Sequence, residues 1–119
     1  MNPLSKDTIN EILELSGGDD SLLIELFELF LFDTKILVEG IALAFKKSDW
    51  DKLEYDLHTL KGLCGTIGAN PLFEVCKILN ERVKNSEYDN LKSLIDELFI
   101  SREELVDYII DNYNVKYAA

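Results

Sequence analysis

The feature that most constrains this chain is the recurrence of apolar residues at steps of three and four along almost its whole length. Such spacing places apolar side chains on one face of an α-helix. The chain has only two prolines, Pro3 and Pro71, and no stretch in which apolar and polar residues alternate as they do in a half-buried strand. The sequence therefore predicts an all-α fold.

Short breaks divide this pattern into five predicted helices. Gly17-Gly18 ends the first, because glycine readily adopts the left-handed conformation of a helix C-cap. Asn70 is predicted to cap the fourth helix, with Pro71 at its tolerated first position. Gly40 predicts a weak spot inside the second helix rather than a boundary. The first helix is predicted over about 5–15, the second reaches to about residue 47, and the third ends near residues 68–69. The fourth follows its cap at Asn70 and stops at a break over 86–89, and the fifth spans about 90–113. The N-cap candidates for the second and third helices are Asp19, Asp20, Ser21, Ser48 and Asp49.

Three of these helices carry narrow apolar seams, which are typical of helices packed in a bundle. The connections between the four longer helices are short, and short connections favour antiparallel neighbours. We therefore expect an antiparallel up-down four-helix bundle, with the short N-terminal helix lying across one end. The seam residues are Leu53, Leu57, Leu60, Cys64 and Ile67 in the third helix, Leu72, Val75, Cys76, Leu79 and Val83 in the fourth, and Leu91, Leu94, Leu98, Leu105 and Ile109 in the fifth.

The second helix has more apolar surface than a bundle needs, since apolar residues between positions 22 and 32 cover nearly its whole circumference. One face must enter the core. Two alternatives remain for the rest of this surface. Either the first helix covers it through Ile9, Ile12 and Leu13, or it forms a partly exposed patch on which a partner protein docks.

Composition narrows the function classes. The 119 residues suit one domain spanning positions 1–119, and 47% apolar residues support a packed core. Twelve basic against 23 acidic residues give a net charge of −11, which disfavours nucleic acid and anionic membrane surfaces. No signal peptide or membrane-spanning stretch is visible, and we expect a cytoplasmic, free-standing monomer. The spacing of Cys64 and Cys76 fits neither a redox pair nor a zinc site, so no metal site is expected.

The single histidine, His58, is predicted to point into solvent. At about 100° of rotation per residue, the apolar seam of the third helix centres roughly 140° away from it. The same count places five residues within roughly 60° of the imidazole, and they share its face of the helix. These residues are Glu54, Tyr55, Lys61, Gly62 and Gly65.

This face suits phosphoryl chemistry. Gly62 and Gly65 remove side chains beside His58, and so leave room for a bulky group to approach the imidazole. Lys61 supplies a cation that suits a phosphoryl group or a carboxylate. A neutral imidazole nitrogen is a competent nucleophile for phosphoryl transfer. The alternative on spacing alone is an exposed histidine without a role.

A wider motif resembles a known family. The stretch LHTLKGLCGTIGA over residues 57–69, followed by Leu72, Cys76 and Leu79, is similar to the signature of histidine-containing phosphotransfer (HPt) domains. That signature is roughly H-x-L-K-G, five variable residues, then G-A or G-L, and later leucine and cysteine positions. The match is close from residue 57 to residue 84, and the five-helix pattern extends it along the chain.

The resemblance implies a function and roles for several residues. His58 would accept a phosphoryl group from the aspartate of a receiver domain, or from a hybrid sensor kinase, and pass it to a response regulator. Lys61 matches the lysine that steadies the phosphoryl group, and Gly62 and Gly65 match the small positions over which the receiver docks. Asn80 falls where the family usually has Glu or Gln facing the histidine. Lys84 falls where some members carry a basic residue.

The resemblance also implies what the chain lacks. The receiver would bring Mg²⁺, so we expect this chain to need no cofactor of its own. It has no nucleotide-binding motif, and we expect a phosphoryl carrier without ATP site or autokinase activity. Leu57, Cys64 and Asn80 depart from the usual residues, and the short Asn80 side chain puts a hydrogen bond to the imidazole in question. The alternatives are a non-catalytic interaction module on the same bundle and a structural adaptor with a coincidental motif.

Overall fold

Five α-helices form the regular structure of this protein in a computed structural model, which describes residues 2–117. No strand occurs within that range, which confirms the predicted all-α class. The predicted ends lie within one or two residues of the observed ones. The helices are α1 (Lys6–Leu15), α2 (Ser21–Lys46), α3 (Trp50–Ile67), α4 (Asn70–Lys84) and α5 (Leu91–Asn112).

Side-chain caps fix some helix ends as predicted, and one cap prediction is wrong. Asp49 accepts a hydrogen bond from the Lys52 N–H at 3.3 Å, and Gly68 ends α3 in the left-handed conformation with φ of 74°. Asn70 does not cap α4. The Ala69 carbonyl already accepts the Phe73 N–H at 2.8 Å, so the helix begins one residue earlier and Asn70 lies inside it without a capping bond.

The four longer helices pack as a bundle in which neighbours in the chain are neighbours in space. Helix α2 contacts α3, α3 contacts α4, α4 contacts α5, and α5 returns to α2, as the up-down arrangement requires. All the predicted seam residues except Leu94 are buried, and Leu94 is half-buried at the edge of the core. The seam predictions for α3 and α4 are confirmed in full.

Gly40 is a contact point between α2 and α3, and it does not form a helix boundary, as predicted. Helix α2 continues through it without a break. A Cβ atom added at Gly40 would lie 2.8 Å from Oδ2 of Asp56 on α3. Asp56 is buried, and both of its carboxylate oxygens accept hydrogen bonds from Nζ of Lys52, at 2.7 and 2.6 Å. The glycine on α2 therefore makes space for an ion pair within α3.

Helix α1 lies across one end of the bundle, as predicted. It contacts α2 and α3, and the Ser5 N–H donates to the Gly68 carbonyl at 2.8 Å. A Cβ atom at Gly68 would lie 2.7 Å from Cβ of Thr8, so the turn after α3 admits α1 only because it carries glycine.

Helix α1 does not cover the surplus apolar surface of α2. Ile9 and Ile12 are buried, but four large apolar side chains on α2 remain more than half exposed. We call this surface the apolar patch; its residues are Leu29, Phe32, Ile36 and Leu43. The second sequence alternative, a partly exposed patch, therefore describes α2.

The chain after α5 folds back over the groove between α2 and α5, a contact that residue spacing does not predict. We call residues 113–117 the C-terminal strap. Tyr113 packs edge-on against Phe27 with ring centroids 4.7 Å apart. The hydroxyl of Tyr117 lies 3.3 Å from Nη2 of buried Arg102, which also donates to the Leu31 carbonyl at 3.1 Å. No helix within residues 2–117 is both long enough and apolar enough to cross a bilayer.

Candidate functional site

His58 lies in the middle of α3 with its imidazole exposed, as the helical count predicts. The seam on the opposite side of α3 is almost completely buried, which fixes the rotation of the helix about its axis. The backbone beneath His58 is therefore part of a packed helix, while the ring itself projects outward. Among the hydrogen bonds of residues 2–117, none involves the imidazole.

An open cleft of about 320 Å³ borders His58, between α3 and the C-terminal half of α4. It brings together five of the residues that the sequence singled out, and it adds Asp51, which sequence reasoning missed. Asp51 lies two turns before His58 on the same face, so a longer helical count would have found it. The lining residues are Asp51, Glu54, Tyr55, His58, Asn80 and Lys84.

Asn80 holds α4 against the turn that carries His58. Its Nδ2 donates to the Glu54 carbonyl at 3.0 Å, and the residue is buried. This side-chain hydrogen bond joins α3 and α4 beside the cleft. In an α-helix the carbonyl of residue 54 also accepts the N–H of residue 58. The short Asn80 side chain therefore bonds to the backbone that supports His58 rather than to the imidazole.

The two glycines near His58 have different surroundings. An added Cβ atom at Gly62 would meet nothing within 4 Å, so this position fronts open space. An added Cβ atom at Gly65 would lie 3.7 Å from the Phe73 ring on α4, an ordinary packing distance. Both glycines are exposed, but only Gly62 is free of neighbours.

Acidic and basic groups share the surface around His58. Lys61 lies one turn beyond the histidine, outside the cleft lining, and is half-buried. Neither Lys61 nor Lys84 belongs to an ion pair found between residues 2 and 117, whereas Lys52 is bound to Asp56. The two lysines are therefore the cations available to an arriving anion, and Asp51 and Glu54 give the cleft an acidic edge.

The start of α3, beside this cleft, is held by an aromatic stack. Trp50 lies parallel to Tyr88 of the α4–α5 connection, with ring centroids 4.0 Å apart and an interplanar angle of 9°. Trp50 is the only tryptophan in the chain. The stack ties the first turn of α3 to the segment after α4.

The two cysteines lie in the core behind His58. Cys64 and Cys76 are buried, free thiols on facing sides of α3 and α4. A hydrogen bond with Cys76 and burial raise the pKa of the Cys64 thiol well above its ordinary value. Such thiols react slowly. No group of His, Cys, Asp and Glu between residues 2 and 117 is arranged to hold a metal ion.

Comparison with known proteins places this architecture in a family. The family model described as Hpt domain matches residues 25–110, which include His58, Lys61 and Asn80 and extend from α2 to α5. Helix α1 and the C-terminal strap lie outside the match. No curated protein and no solved structure matches the chain. Because the family model covers well over half of the chain, the protein belongs to the Hpt domain family of histidine phosphotransfer domains in two-component phosphorelays.

Proposed function

We propose that His58 is the phosphoryl acceptor of a phosphorelay intermediate. It receives the group from the aspartate of a receiver domain, or from a hybrid sensor kinase, and passes it to a response regulator. The observation that carries this proposal is an exposed imidazole, without a hydrogen-bond partner in residues 2–117, on a helix whose other side is packed. A nucleophile held in this way can reach a partner's active site without rearrangement of the bundle.

The reaction is a direct transfer between two side chains. The lone pair of the outward ring nitrogen attacks the phosphorus of an aspartyl phosphate, an N–P bond forms, and the bond from phosphorus to the aspartate oxygen breaks. The aspartate leaves as a carboxylate, while the second ring nitrogen keeps its proton. Reversal of these steps on another receiver completes the relay. The receiver brings the Mg²⁺ that neutralises part of the phosphoryl charge.

Lys61 and Lys84 supply the cations on this side of the reaction. Phosphoryl transfer depends mostly on positioning and on charge neutralisation. We assign phosphoryl stabilisation to Lys61, which lies one turn from His58, and partner contact to Lys84 in the cleft. The chain acts as a phosphoryl carrier, with no ATP site and no autokinase activity of its own.

The receiver is proposed to dock over the exposed side of α3 and α4. Gly62 gives the clearance, and the docking surface continues through Glu54, Tyr55, Gly65, Asn80 and Lys84. A net charge of −11 opposes association with an acidic receiver. Apolar contact and the lysines of this surface, Lys61, Lys77 and Lys84, are therefore expected to provide the attraction. We propose that the protein is cytoplasmic. We also propose that it acts as a monomer, because the phosphoryl-accepting site is complete within one chain.

The proposal is tested by transfer of radioactive label from a phosphorylated receiver domain to this chain. We expect acid-labile, alkali-stable label on the wild type and none on His58→Gln. Phosphoramidate, a small donor that needs no docking surface, separates the two parts of the proposal. Label from phosphoramidate but from no receiver would refute the docking assignment, and label from neither would refute the phosphoryl role of His58.

A second candidate function is that of a non-catalytic interaction module on the same bundle. The exposed apolar patch on α2 favours it, because monomeric proteins rarely leave such a stripe uncovered without a partner. This function predicts that His58→Gln binds partners and transmits signals as the wild type does. A loss of signalling in His58→Gln with unchanged partner affinity would exclude it.

A further inference from the structure

The outer face of α2 carries a repeat that the phosphoryl chemistry does not use. Apolar residues recur every seventh position along the whole helix, at Leu22, Leu29, Ile36 and Leu43. Leu22 is half-buried and the other three are more than half exposed. At 1.5 Å per residue this line extends for about 30 Å. A seven-residue repeat on an exposed helix face is the pattern by which one helix packs along another.

Acidic residues occupy two of the four positions that lie three residues after the apolar ones, and Lys46 occupies the last of them. Glu25 and Glu39 fall three residues after Leu22 and Ile36, where a seam between two helices has its second set of contacts. Phe32 takes the equivalent place after Leu29 and is 64% exposed. Neither glutamate belongs to an ion pair in the described structure. We call the four apolar residues together with Glu25, Phe32 and Glu39 the outer seam.

A cleft borders the outer seam where α2 faces the C-terminal strap. Its volume is about 510 Å³, which is enough for a large side chain of a docked helix. Its apolar lining comes from Phe32 and Ile36 of the seam and from Tyr117 of the strap. The charged residues around the cleft are Glu28, Lys35, Glu39 and Lys116. Three of the seven seam residues, Phe32, Ile36 and Glu39, therefore line a cleft, and the other four lie along the helix outside it.

The charges decide which helix fits this surface. A second copy of this chain would bring two glutamates and only one lysine, Lys46, from each copy into the same seam. It would also add the repulsion of two net charges of −11. A helix with lysine or arginine at the matching positions would instead pair with both glutamates. The outer seam lies apart from the lining of the His58 cleft, which comes from α3 and α4 only.

We propose that the outer seam of α2 and the cleft beside it bind a basic amphipathic helix of a partner protein. The partner helix carries apolar residues at seven-residue spacing, which pack along Leu22, Leu29, Ile36 and Leu43, and basic residues that pair with Glu25 and Glu39. One of its larger apolar side chains enters the cleft between Phe32 and Tyr117. This inference goes beyond the phosphoryl role, since it requires no chemistry at His58.

The test uses the full chain and three fluorescein-labelled synthetic peptides of 22 residues, followed by fluorescence anisotropy. The first has leucine at heptad spacing with lysine at the intervening positions, the second has glutamate in place of lysine, and the third is a scrambled version of the first. We expect the first peptide to bind at least about tenfold more tightly than either of the others, which corresponds to about 1.4 kcal/mol. Equal binding of the scrambled peptide would overturn the proposal.

Variants of the chain locate the binding surface. Ile36→Ser should weaken binding of the lysine peptide by about tenfold or more, because it removes the centre of the seam. Ile100→Ser is the matched control, since Ile100 is equally exposed on α5 and lies outside the seam. The double change Glu25→Lys and Glu39→Lys should reverse the preference in favour of the glutamate peptide. Equal losses in the Ile36 and Ile100 variants, or no reversal by the charge swap, would refute the assignment.

Two further measurements distinguish this proposal from self-association of the chain and from the phosphoryl role of His58. Light scattering of the wild type should give a monomer, and a dimer that dissociates in Ile36→Ser would identify a second copy as the occupant instead. Labelling of His58 by phosphoramidate should be the same in Ile36→Ser and in the wild type. A failure of that labelling in both proteins would contradict the phosphoryl role alone and leave the peptide result to stand by itself.

Discussion

His58 owes its exposure to the side of α3 on which it lies, and its fixed position to a neighbour on α4. The exposure could be predicted from the sequence, because about 100° of rotation per residue separates the imidazole from a seam of five buried residues. The contact of Asn80 with the Glu54 carbonyl could not be predicted in this way. It depends on the distance between α3 and α4 and on the length of one side chain.

Lys61→Ala should slow phosphotransfer by about tenfold, or shorten the lifetime of phosphohistidine to a similar degree, because a cation near the phosphoryl group is lost. The fold should be unaffected, since Lys61 makes no ion pair in the described structure. Rapid-quench transfer from a labelled receiver measures the rate. Lys92→Ala, on α5 and outside the docking surface, is the control for a general change in charge, and an equal loss in both variants would refute the specific role of Lys61.

Asn80→Ala should lower the free energy of unfolding by about 1–2 kcal/mol, because the Glu54 carbonyl loses a hydrogen bond beside the core. Urea unfolding gives this value. The amide of His58 should also exchange with solvent faster, since the carbonyl that accepts it is no longer held by α4. Asn85→Ala is the matched control just after α4. Unchanged stability and exchange in Asn80→Ala would show that the bond contributes nothing.

At the scale of single helices, alanine should change the free energy of unfolding in opposite directions at two glycines, lowering it at Gly40 and raising it at Gly62. Gly40→Ala places a Cβ atom 2.8 Å from a buried carboxylate that Lys52 holds on both oxygens, so the ion pair must move. We expect a net loss of about 1–3 kcal/mol in the free energy of unfolding. Thermal and urea unfolding measure it, and a stabilised Gly40→Ala would contradict the described contact between α2 and α3.

Gly62→Ala should instead stabilise the fold by about 0.5–1 kcal/mol, because alanine favours a helix and an added Cβ atom there meets nothing within 4 Å. A larger side chain at Gly62 should block the receiver while the bundle remains folded. Isothermal titration of Gly62→Leu with a receiver measures this loss of affinity. Wild-type affinity in that variant would refute the clearance assigned to Gly62.

The helices themselves could be predicted from the sequence almost to the residue, since apolar spacing and capping residues are local signals. The cap prediction for Asn70 is wrong, although asparagine often caps helices. The Ala69 carbonyl already accepts the first hydrogen bond of α4, so Asn70 lies inside the helix. Gly40 does not end α2, as predicted, but its contact with α3 could not be predicted for a related reason. In a sequence, a glycine inside a helix indicates local weakness. Only the structure shows that the neighbouring helix needs the space that the glycine leaves.

For the whole molecule, the buried thiols predict how stability depends on pH. The pKa of Cys64 is raised in the folded protein, so the folded state keeps its proton where the unfolded state, with a thiol pKa of about 8.5, begins to lose it. The free energy of unfolding should therefore be unaffected by this thiol below about pH 8 and should fall above about pH 8.5, by up to about 1.4 kcal/mol per pH unit. Urea titrations between pH 7 and pH 9.5 measure the slope.

Cys64→Ala provides the control for this slope. Its free energy of unfolding should be lower at neutral pH, because packing is lost, but should fall less steeply above pH 8.5. An identical slope in both proteins would assign the pH dependence to other groups.

The bundle could be predicted from the sequence, whereas the C-terminal strap could not. Short connections and apolar seams indicate four packed helices, but nothing in the spacing of residues 113–117 indicates that they return to α2. Arg102 illustrates the reason. It lies within the apolar face of α5, where a charged residue is not expected. Its hydrogen bonds are accepted by Thr34 and the Leu31 carbonyl, which both belong to α2.

The contact between Ser5 and Gly68 has a consequence for the order in which the chain folds. The turn at Gly68 takes its shape only when α3 has ended and α4 has begun, and closing so long a loop costs entropy before any contact can offset it. The contact of α1 with this turn therefore forms only after α3 has ended. During synthesis, α1 leaves the ribosome ahead of the turn, and the Ser5 N–H has no Gly68 carbonyl to meet until the chain has passed residue 68.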